Sequence, residues 1–267
     1  MLDSMPRLGF GTWQIPGQQC RDSVLDALEL GYRHIDTAQM YGNEAEVGQA
    51  IAQSSVPREQ IWVTTKVTPQ NLHPEGIERS ATESLERLGL EQVDLLLIHW
   101  PVFGRAPLDE LIRCMEAVRG RGQARNIGVS NFNARQVARA CAAGPVFTNQ
   151  VEYHPYLSQG AVLKACRDNG IQLTAYCPLA RGRAVKDPVL AAIGERHEAS
   201  AAQVALAWLL HQEGVAAIPK AASAKNRRAN LKAQQITLTE AEVAEIAALS
   251  TGLRLCDPPG ISPEWDE

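Results

Sequence analysis

Eight short apolar runs alternate with longer amphipathic stretches along almost the whole chain. Several of the runs are nearly continuous in Val, Ile and Leu, as in parallel strands whose sheet is covered by helices on both faces. The pattern therefore predicts an α/β fold with a parallel sheet. Its predicted strands are Leu8–Trp13, Arg33–Thr37, Ile61–Val67, Val93–Trp100, Arg125–Ser130, Val146–Val151, Ile171–Tyr176 and Val215–Lys220.

The stretches between the strands carry helix start and stop signals. Three capping boxes are predicted from an N-cap side chain followed by Glu or Gln three residues later: Asn43 with Glu46, Ser200 with Gln203, and Thr239 with Glu242. Asp187 precedes a proline that suits the first helical position. Glycines predicted to end helices in the left-handed conformation are Gly31, Gly89, Gly170 and Gly214. Apolar residues at helical spacing in Leu108–Val118 predict one core-facing helix surface.

Strand–helix alternation repeated eight times favours a (β/α)₈ barrel, because each parallel strand needs a crossover helix. The alternative is an open doubly wound sheet, which normally carries a glycine-rich turn after its first strand, and no GxGxxG occurs here. No linker or shift in composition divides the 267 residues, so residues 1–267 are expected to form one domain. An additional helix, Pro188–His197, is expected between the last two strands, near where barrels often bind phosphate.

Composition narrows the class of protein. With 45% hydrophobic residues, 21% charged residues and a net charge of −4, the chain is typical of a globular protein and has no overall attraction for nucleic acid or anionic membranes. The sequence contains neither eighteen consecutive apolar residues nor a secretory signal pattern, so no membrane association is expected. Its six scattered cysteines form no CxxC pair and indicate reduced thiols in a cytoplasmic protein.

The candidate chemistry lies where barrel enzymes place it, at the carboxyl ends of the strands. Asp36 and Tyr41 follow the second strand, Lys66 ends the third, and His99 ends the fourth. Each has a structural alternative, since an aspartate can cap a turn and a lysine can extend into solvent. Together at one rim they indicate general acid catalysis, because a nearby lysine lowers the pKa of a phenol from ~10 and a histidine can orient a carbonyl oxygen.

Residues of a different kind follow the later strands. Ser130 and Asn131 end the fifth strand, Asn149 and Gln150 lie in the sixth, and Tyr176 ends the seventh. Amide side chains and a flat aromatic ring suit a carboxamide-bearing ring such as nicotinamide. After the eighth strand comes a segment with five basic residues and no acidic one, which is either a solvated helix face or a phosphate site: Lys220, Lys225, Arg227, Arg228 and Lys232.

With these motifs in order, the chain closely resembles the aldo-keto reductases over essentially its whole length. The matching stretches are GFGTWQ (9–14), GYRHIDTAQMYGNEAEVG (31–48), VTTKV (63–67), LLLIHWP (95–101), NIGVSNF (126–132), TNQVEYHPY (148–156), TAYCPLA (174–180) and AIPKAAS (217–223). The short loops and the ending PPGISPEWD are most similar to the bacterial 2,5-diketo-D-gluconate reductase branch.

The resemblance implies a monomeric cytosolic barrel enzyme that uses NADPH to reduce small aldehydes and ketones. Tyr41 would donate the proton, with Lys66 and Asp36 behind it and His99 orienting the substrate. Substrate would contact Trp13, His99 and Trp100. The implied cofactor-binding residues are Gly11, Thr12, Ser130, Asn131, Gln150, Tyr176, Pro178, Leu179, Lys220, Ala222, Ser223, Asn226 and Asn230. Diketo sugar acids and methylglyoxal-like aldehydes are the expected substrates.

One position departs from the family pattern. Many members carry arginine six residues after the phosphate-binding lysine, where this chain has Asn226, flanked by Lys225, Arg227 and Arg228. Either one of these neighbours substitutes for the arginine, or the preference for NADPH over NADH is weaker than usual. Two other functions remain open as alternatives. One is an NADPH-binding redox-sensing module with little turnover, and the other is a metal-dependent barrel hydrolase, for which the acidic and histidine ligands are too few.

Overall fold

The computed structural model describes residues 4–266, and eight strands of these residues form one parallel sheet in sequential order. Hydrogen bonds from Gly9 N to Ala217 O (2.9 Å) and from Ala217 N to Arg7 O (2.7 Å) join the last strand to the first. The sheet is therefore a closed (β/α)₈ barrel, which confirms the predicted fold class. The strands are β1 (Phe10–Gly11), β2 (His34–Asp36), β3 (Trp62–Val67), β4 (Val93–Ile98), β5 (Ala124–Ser130), β6 (Val146–Glu152), β7 (Gln172–Tyr176) and β8 (Val215–Ala217).

All eight predicted strands are present, but six of them are shorter than predicted, the first and last by the most. Regular pairing of β8 ends at Ala217, two residues before Pro219. Proline has no N–H to donate to a ladder. The carbonyl oxygen of Pro219 accepts one hydrogen bond, from Gly11 N at 3.2 Å. The assignment of residues 1–267 to one domain stays a prediction, and residues 1–3 and 267 lie outside the described part.

Ten helices in the described residues lie around the barrel. They are α1 (Gly17–Leu30), α2 (Glu44–Gln53), α3 (Pro74–Leu88), α4 (Leu108–Gly120), α5 (Ala134–Ala143), α6 (Gly160–Asp168), α7 (Pro188–Arg196), α8 (Ala201–His211), α9 (Ala224–Lys232) and α10 (Glu240–Ala247). The apolar positions predicted for α4 are all buried, and α7 is the additional helix expected between β7 and β8. Within residues 4–266, no helix combines the length and the apolar character that crossing a membrane requires.

The helix ends agree with most of the predicted caps. Both capping boxes at Ser200 and Thr239 are formed, and the Asp187 carboxylate accepts from the first free amides of α7. The prediction of a capping box at Asn43 is wrong, because the Asn43 side chain instead donates to Thr12 O and Ile15 O, each at 3.0 Å. That asparagine therefore fastens the loop after β1 to the loop after β2.

The four predicted glycines all have positive φ, but only some of them end a helix. Gly31 and Gly89 are the left-handed C-caps of α1 and α3. Gly170 (φ 67°) directly follows the C-cap of α6, whereas Gly214 (φ 74°) lies in the turn before β8, beyond the C-cap of α8. A side chain at φ > 0 costs free energy, which glycine avoids by having no Cβ.

Candidate active site

Lys66 is the centre of the polar cluster at the carboxyl end of the barrel. Its side chain is fully buried, and its ammonium group donates to Asp36 Oδ1 at 2.6 Å, to Thr37 O at 2.8 Å and to the Tyr41 hydroxyl oxygen at 3.3 Å. Three donors thus have three acceptors, which is the full capacity of an ammonium group. The interior lysine is consequently paired and hydrogen-bonded, as a charge removed from water must be.

Tyr41 reaches this cluster from a short 3₁₀ turn, Gln39–Tyr41, directly after β2. Gly42 ends the turn at φ 65°, a left-handed conformation that directs the chain into α2. The ring of His99 meets the Tyr41 ring edge-on, with 5.7 Å between centroids. Since the tyrosine oxygen accepts from the Lys66 ammonium, its own proton remains available for another acceptor.

The surroundings set the charges of the two bases beside Tyr41. Burial alone would lower the pKa of Lys66, but the negative Asp36 and the nearby Tyr41 more than offset it, so the pKa is raised and the group is an ammonium ion. Burial, together with the positive charge of Lys66, holds the pKa of His99 well below its ordinary value of 6.5. His99 is therefore a neutral imidazole that carries one N–H.

The expectation that Lys66 brings the Tyr41 pKa down towards neutrality is wrong for this structure. Burial raises the pKa of Tyr41 above its ordinary value of 10.0, and the lysine charge lowers it by less than burial raises it. Asp36 adds a further negative charge that also raises the pKa. Lys66 thus offsets part of the effect of burial, and Tyr41 is a protonated phenol at neutral pH.

His99 also carries a buried nitrogen, Nδ1, that has no hydrogen-bond partner in the described residues 4–266. The histidine backbone is fixed at the same time, because Asn131 Nδ2 donates to His99 O at 2.9 Å. A buried polar nitrogen without a partner costs stability unless another molecule supplies one. The His99 backbone is therefore held by Asn131, while this ring nitrogen stays unpaired among the described residues.

The residues at the carboxyl ends of β5, β6 and β7 form one connected hydrogen-bond network, in which Asn131 Nδ2 donates to Ser130 Oγ at 3.1 Å. Tyr176 Oη donates to Asn131 Oδ1 at 2.8 Å, and Ser130 Oγ donates to Gln150 O at 2.7 Å. Gln150 Nε2 crosses the barrel to donate to Asp36 Oδ2 at 2.7 Å. The structure thus joins the predicted cofactor residues to the predicted catalytic ones through a contact that the sequence did not indicate.

Asn149 differs from the other amide residues. Its Oδ1 accepts from Phe132 N at 3.3 Å and its Nδ2 donates to Phe132 O at 2.8 Å. Both of these bonds hold the loop after β5 rather than the cluster around Lys66. Of the two amide residues predicted in β6, only Gln150 reaches the site.

The glycine and threonine predicted to bind cofactor lie at the end of β1. A Cβ on Gly11 would lie 2.8 Å from Ile218 O, so the close approach of these two backbone segments requires glycine. Thr12 Oγ1 donates to Asp36 O at 2.9 Å and holds the loop against β2. Two strands away around the rim, Pro178 and Leu179 follow the end of β7, the first half-buried and the second buried.

The basic segment after β8 divides into structural and exposed residues. Arg227 is buried, and its guanidinium group binds Asp26 Oδ2 at 2.6 Å and the carbonyl oxygens of Ala221 and Ala222 at 3.0 Å each. It therefore cannot be the neighbour that substitutes for an arginine at position 226. The exposed cations of the segment are Lys220, Lys225, Arg228 and Lys232.

The remaining residues predicted to bind cofactor lie at the start of α9. Ser223 is the N-cap of the helix, and its Oγ accepts from Asn226 N at 3.3 Å. Ala222 and Asn226 are exposed beside it, while Asn230 is buried two turns later. An exposed helix N-terminus flanked by lysine and arginine side chains favours an anion such as phosphate.

Aromatic side chains border the cluster around Lys66. Trp100 is buried beside His99, with ring centroids 6.5 Å apart, and Trp13 is 41% exposed. Trp265, for which the motifs predicted no role, meets the Trp100 ring edge-on, with ring centroids 6.5 Å apart. Asp266 holds this tail in place, because its Oδ2 accepts from Ala134 N at the start of α5 at 2.6 Å. The only sequence signal for this contact of Trp265 was the motif SPEWD in the tail.

Comparison with known proteins identifies the family. The model of the aldo/keto reductase family matches residues 7–251. The chain is 42% identical to methylglyoxal reductase DkgB of Escherichia coli O157:H7, over 98% of this chain and all of the relative. The chain belongs to the aldo/keto reductase family. It is therefore an oxidoreductase of a family that reduces carbonyl groups and generally uses a nicotinamide cofactor.

Solved structures of other aldo/keto reductases have the same barrel. One neighbour, provisionally named a 2,5-diketo-D-gluconic acid reductase B, superposes with a TM-score of 0.96 at 44% identity, covering 98% of this chain and 94% of that one. Another, an aldo-keto reductase from a Medee basin deep-sea metagenome library, has a TM-score of 0.90 at 34% identity, covering 98% and 97%. The resemblance seen in the sequence, including the diketogluconate reductase branch, is confirmed.

Proposed function

We propose that this aldo/keto reductase uses NADPH to reduce the carbonyl group of small polar aldehydes and ketones, with Tyr41 as the proton donor. The observation that carries the proposal is the arrangement of Lys66, whose ammonium group bridges Asp36 Oδ1 at 2.6 Å and the Tyr41 hydroxyl at 3.3 Å. A phenol that accepts a hydrogen bond from a cation is directed to give up its own proton. That is the requirement for protonating an alkoxide as it forms.

Each member of the cluster has one proposed task. The bound nicotinamide supplies the hydride for the carbonyl carbon. Tyr41 gives its proton to the carbonyl oxygen, and the positive charge of Lys66 stabilises the phenolate that is left. Asp36 holds Lys66 in place, and neutral His99 donates its N–H to the carbonyl oxygen before the proton moves. The edge-on contact between the His99 and Tyr41 rings, with centroids 5.7 Å apart, supports this role beside the proton donor.

The proposed cofactor site extends from β5 to α9. Ser130, Asn131 and Gln150 would hold the carboxamide of the nicotinamide, and Tyr176 would lie against its ring. Their mutual hydrogen bonds support this role, because a connected network fixes donors and acceptors before a ligand arrives. At the other end, the exposed Lys220 would bind the 2′-phosphate that distinguishes NADPH from NADH.

The names of the relatives suggest the substrates. Methylglyoxal reductase DkgB and a protein named as a 2,5-diketo-D-gluconic acid reductase both match this chain over nearly its whole length. We propose methylglyoxal and 2,5-diketo-D-gluconate as substrates, bound between Trp13, Trp100 and the His99 ring. The partly exposed Trp13 supports an open mouth that admits small polar molecules. A monomeric state and a cytoplasmic location stay predictions.

The pH dependence of reduction tests the protonation state of Tyr41. The proposed reaction uses the protonated phenol, whose pKa lies above 10.0, and a neutral His99, whose pKa lies well below 6.5. We therefore expect kcat to be level across neutral pH and to fall only as the pH rises through the Tyr41 pKa. Initial rates between pH 6 and pH 10.5 measure this dependence. A decline in kcat centred between pH 7 and pH 8 would contradict a protonated donor.

Replacement of Lys220 by alanine tests the site of the 2′-phosphate. We expect the KM for NADPH to rise about tenfold or more, as for the loss of one charge-assisted hydrogen bond, while the KM for NADH changes little. The matched control is Lys232→Ala, which removes an exposed lysine from the far end of α9 and should change neither value. Equal effects of Lys220→Ala on both cofactors would place the phosphate elsewhere.

A further inference from the structure

A second polar cluster lies beside the site, where the C-terminal tail meets the end of β7. Cys177 directly follows Tyr176, and Cys256 lies in the tail. The two sulfur atoms and a carboxylate oxygen of Glu152 lie within 4.8 Å of one another. Glu152 holds the tail in place, because its Oε1 accepts from Leu255 N at 2.9 Å and its Oε2 accepts from Cys256 N at 2.8 Å.

The two thiols differ in acidity. The Arg181 guanidinium donates to Cys256 Sγ at 3.5 Å. A hydrogen bond from the Cys177 thiol lowers the pKa of Cys256 below its ordinary value. Arg181 lowers this pKa further, and together they outweigh burial, which raises it. That same bond and burial raise the pKa of Cys177. A more acidic thiol at Cys256 beside a less acidic one at Cys177 is the arrangement of an attacking and a resolving cysteine.

The other four cysteines lack this arrangement. Cys20 and Cys166 are buried, and burial raises the pKa of each thiol to about 12. Burial also raises the pKa of Cys114 and Cys141, which are half-buried. Thiols with a raised pKa are weak nucleophiles, because the thiolate is the reactive form. Reactivity towards an oxidant is therefore expected at Cys256 first.

A metal ion fits this cluster less well than a disulfide does. The carboxylate of Glu152 already accepts from His154 Nε2 at 2.9 Å in addition to the two tail amides, so its oxygens would have to exchange hydrogen bonds for a metal. The Arg181 cation also occupies one side of the Cys256 sulfur. The remaining pair of groups that can react with each other is Cys177 and Cys256.

We propose that Cys177 and Cys256 are a redox modification site, which low-molecular-weight disulfides such as glutathione disulfide convert into an intramolecular disulfide. The Cys256 thiolate attacks one sulfur of glutathione disulfide, forming a mixed disulfide and releasing one glutathione thiolate. Cys177 then loses its proton to the medium and attacks the Cys256 sulfur, releasing the second glutathione. Overall, two protein thiols are oxidised and one glutathione disulfide is reduced to two glutathione molecules.

Closure of the bond requires a small movement of the tail. The sulfur atoms must approach to about 2.05 Å, and Cys256 lies in an irregular segment that can shift without breaking a strand or helix. The disulfide would link positions 177 and 256, which are 79 residues apart. It would fix the tail that carries Trp265 to the strand that carries Tyr176. Disulfide formation does not depend on the proposed reaction, so the two proposals can fail separately.

The test treats the full-length reduced protein with glutathione disulfide and then counts thiols and maps peptides by mass spectrometry. In the wild-type protein, we expect free thiols to fall from six to four and a single crosslink to join the peptides of Cys177 and Cys256. Cys177→Ser should instead retain one glutathione on Cys256, and Cys256→Ser should leave Cys177 unmodified. Cys114→Ser, which alters a half-buried cysteine outside the cluster, should form the same crosslink as the wild type.

A measurement of stability complements the chemical test. Closing a loop of 79 residues restricts the unfolded chain, so the oxidised wild type should unfold at a higher urea concentration than the reduced protein. Cys256→Ser should show no such shift. Six free thiols after treatment, a stable mixed disulfide on wild-type Cys256, or a crosslink between any other cysteines would overturn the proposal.

Discussion

Replacement of Tyr41 by phenylalanine is expected to lower kcat for carbonyl reduction by about 10²–10⁴-fold, the range that a positioned general acid contributes. The ring and its edge-on contact with His99 would remain, and only the hydroxyl that accepts from Lys66 would be lost. The dissociation constant for NADPH should therefore stay within about twofold of the wild-type value, since no proposed cofactor contact is removed. Steady-state kinetics and fluorescence titration with NADPH measure the two effects.

Tyr153→Phe is the matched control for that variant. Like Tyr41, Tyr153 makes one side-chain hydrogen bond, from its hydroxyl to Gln212 Oε1 at 2.7 Å, but it is buried against Trp208, away from the cluster around Lys66. Its loss should cost some stability and leave turnover intact. Retention of more than about a tenth of the wild-type kcat by Tyr41→Phe would contradict the assignment of the proton donor.

Replacement of Lys66 by methionine is expected to cost about 3–5 kcal/mol of unfolding free energy, as well as nearly all turnover. The substitution nearly preserves the length of the side chain but leaves the Asp36 carboxylate buried without its counter-ion, since the Asp36 side chain is only 2% exposed. Gln150 Nε2 would still donate to Asp36 Oδ2, so the carboxylate keeps one hydrogen bond from a neutral donor. Urea unfolding followed by circular dichroism measures the loss of stability.

The double variant Asp36→Asn with Lys66→Met separates stability from chemistry. Removing both charges relieves the unpaired carboxylate, so most of the unfolding free energy lost in Lys66→Met should return. Turnover should not return, because no cation remains to stabilise the Tyr41 phenolate. Recovery of both stability and turnover would show that Lys66 serves only the fold.

The sequence was sufficient to predict the barrel and the convergence of the four candidate catalytic residues. The alternation of apolar runs and amphipathic stretches predicts where the strands lie, and residues at the carboxyl ends of parallel strands must meet at one rim. Asp36, Tyr41, Lys66 and His99 could be placed together for that reason alone. The shortness of β1 and β8 could not be predicted, since it depends on which amides pair where the barrel closes, between residues 7–11 and 217–219.

The features that the sequence did not predict depend on long-range contacts and on burial. The hydrogen bond from Gln150 to Asp36 crosses 114 positions of sequence and depends on side chains pointing into the barrel. Likewise, nothing in the basic run after β8 distinguishes Arg227, which folding buries against Asp26, from its exposed neighbours. The direction of the Tyr41 pKa shift was misjudged for the same reason, because spacing reveals the nearby lysine but not the extent of burial.

The most direct test of the proposed function is an initial-rate assay that follows NADPH absorbance with methylglyoxal and 2,5-diketo-D-gluconate. We expect the wild-type protein to consume NADPH with at least one of the two, and Tyr41→Phe to consume almost none under the same conditions. Measured binding of NADPH without consumption on either substrate or on a broad aldehyde panel would contradict the proposal. That outcome would favour a cofactor-binding redox sensor instead.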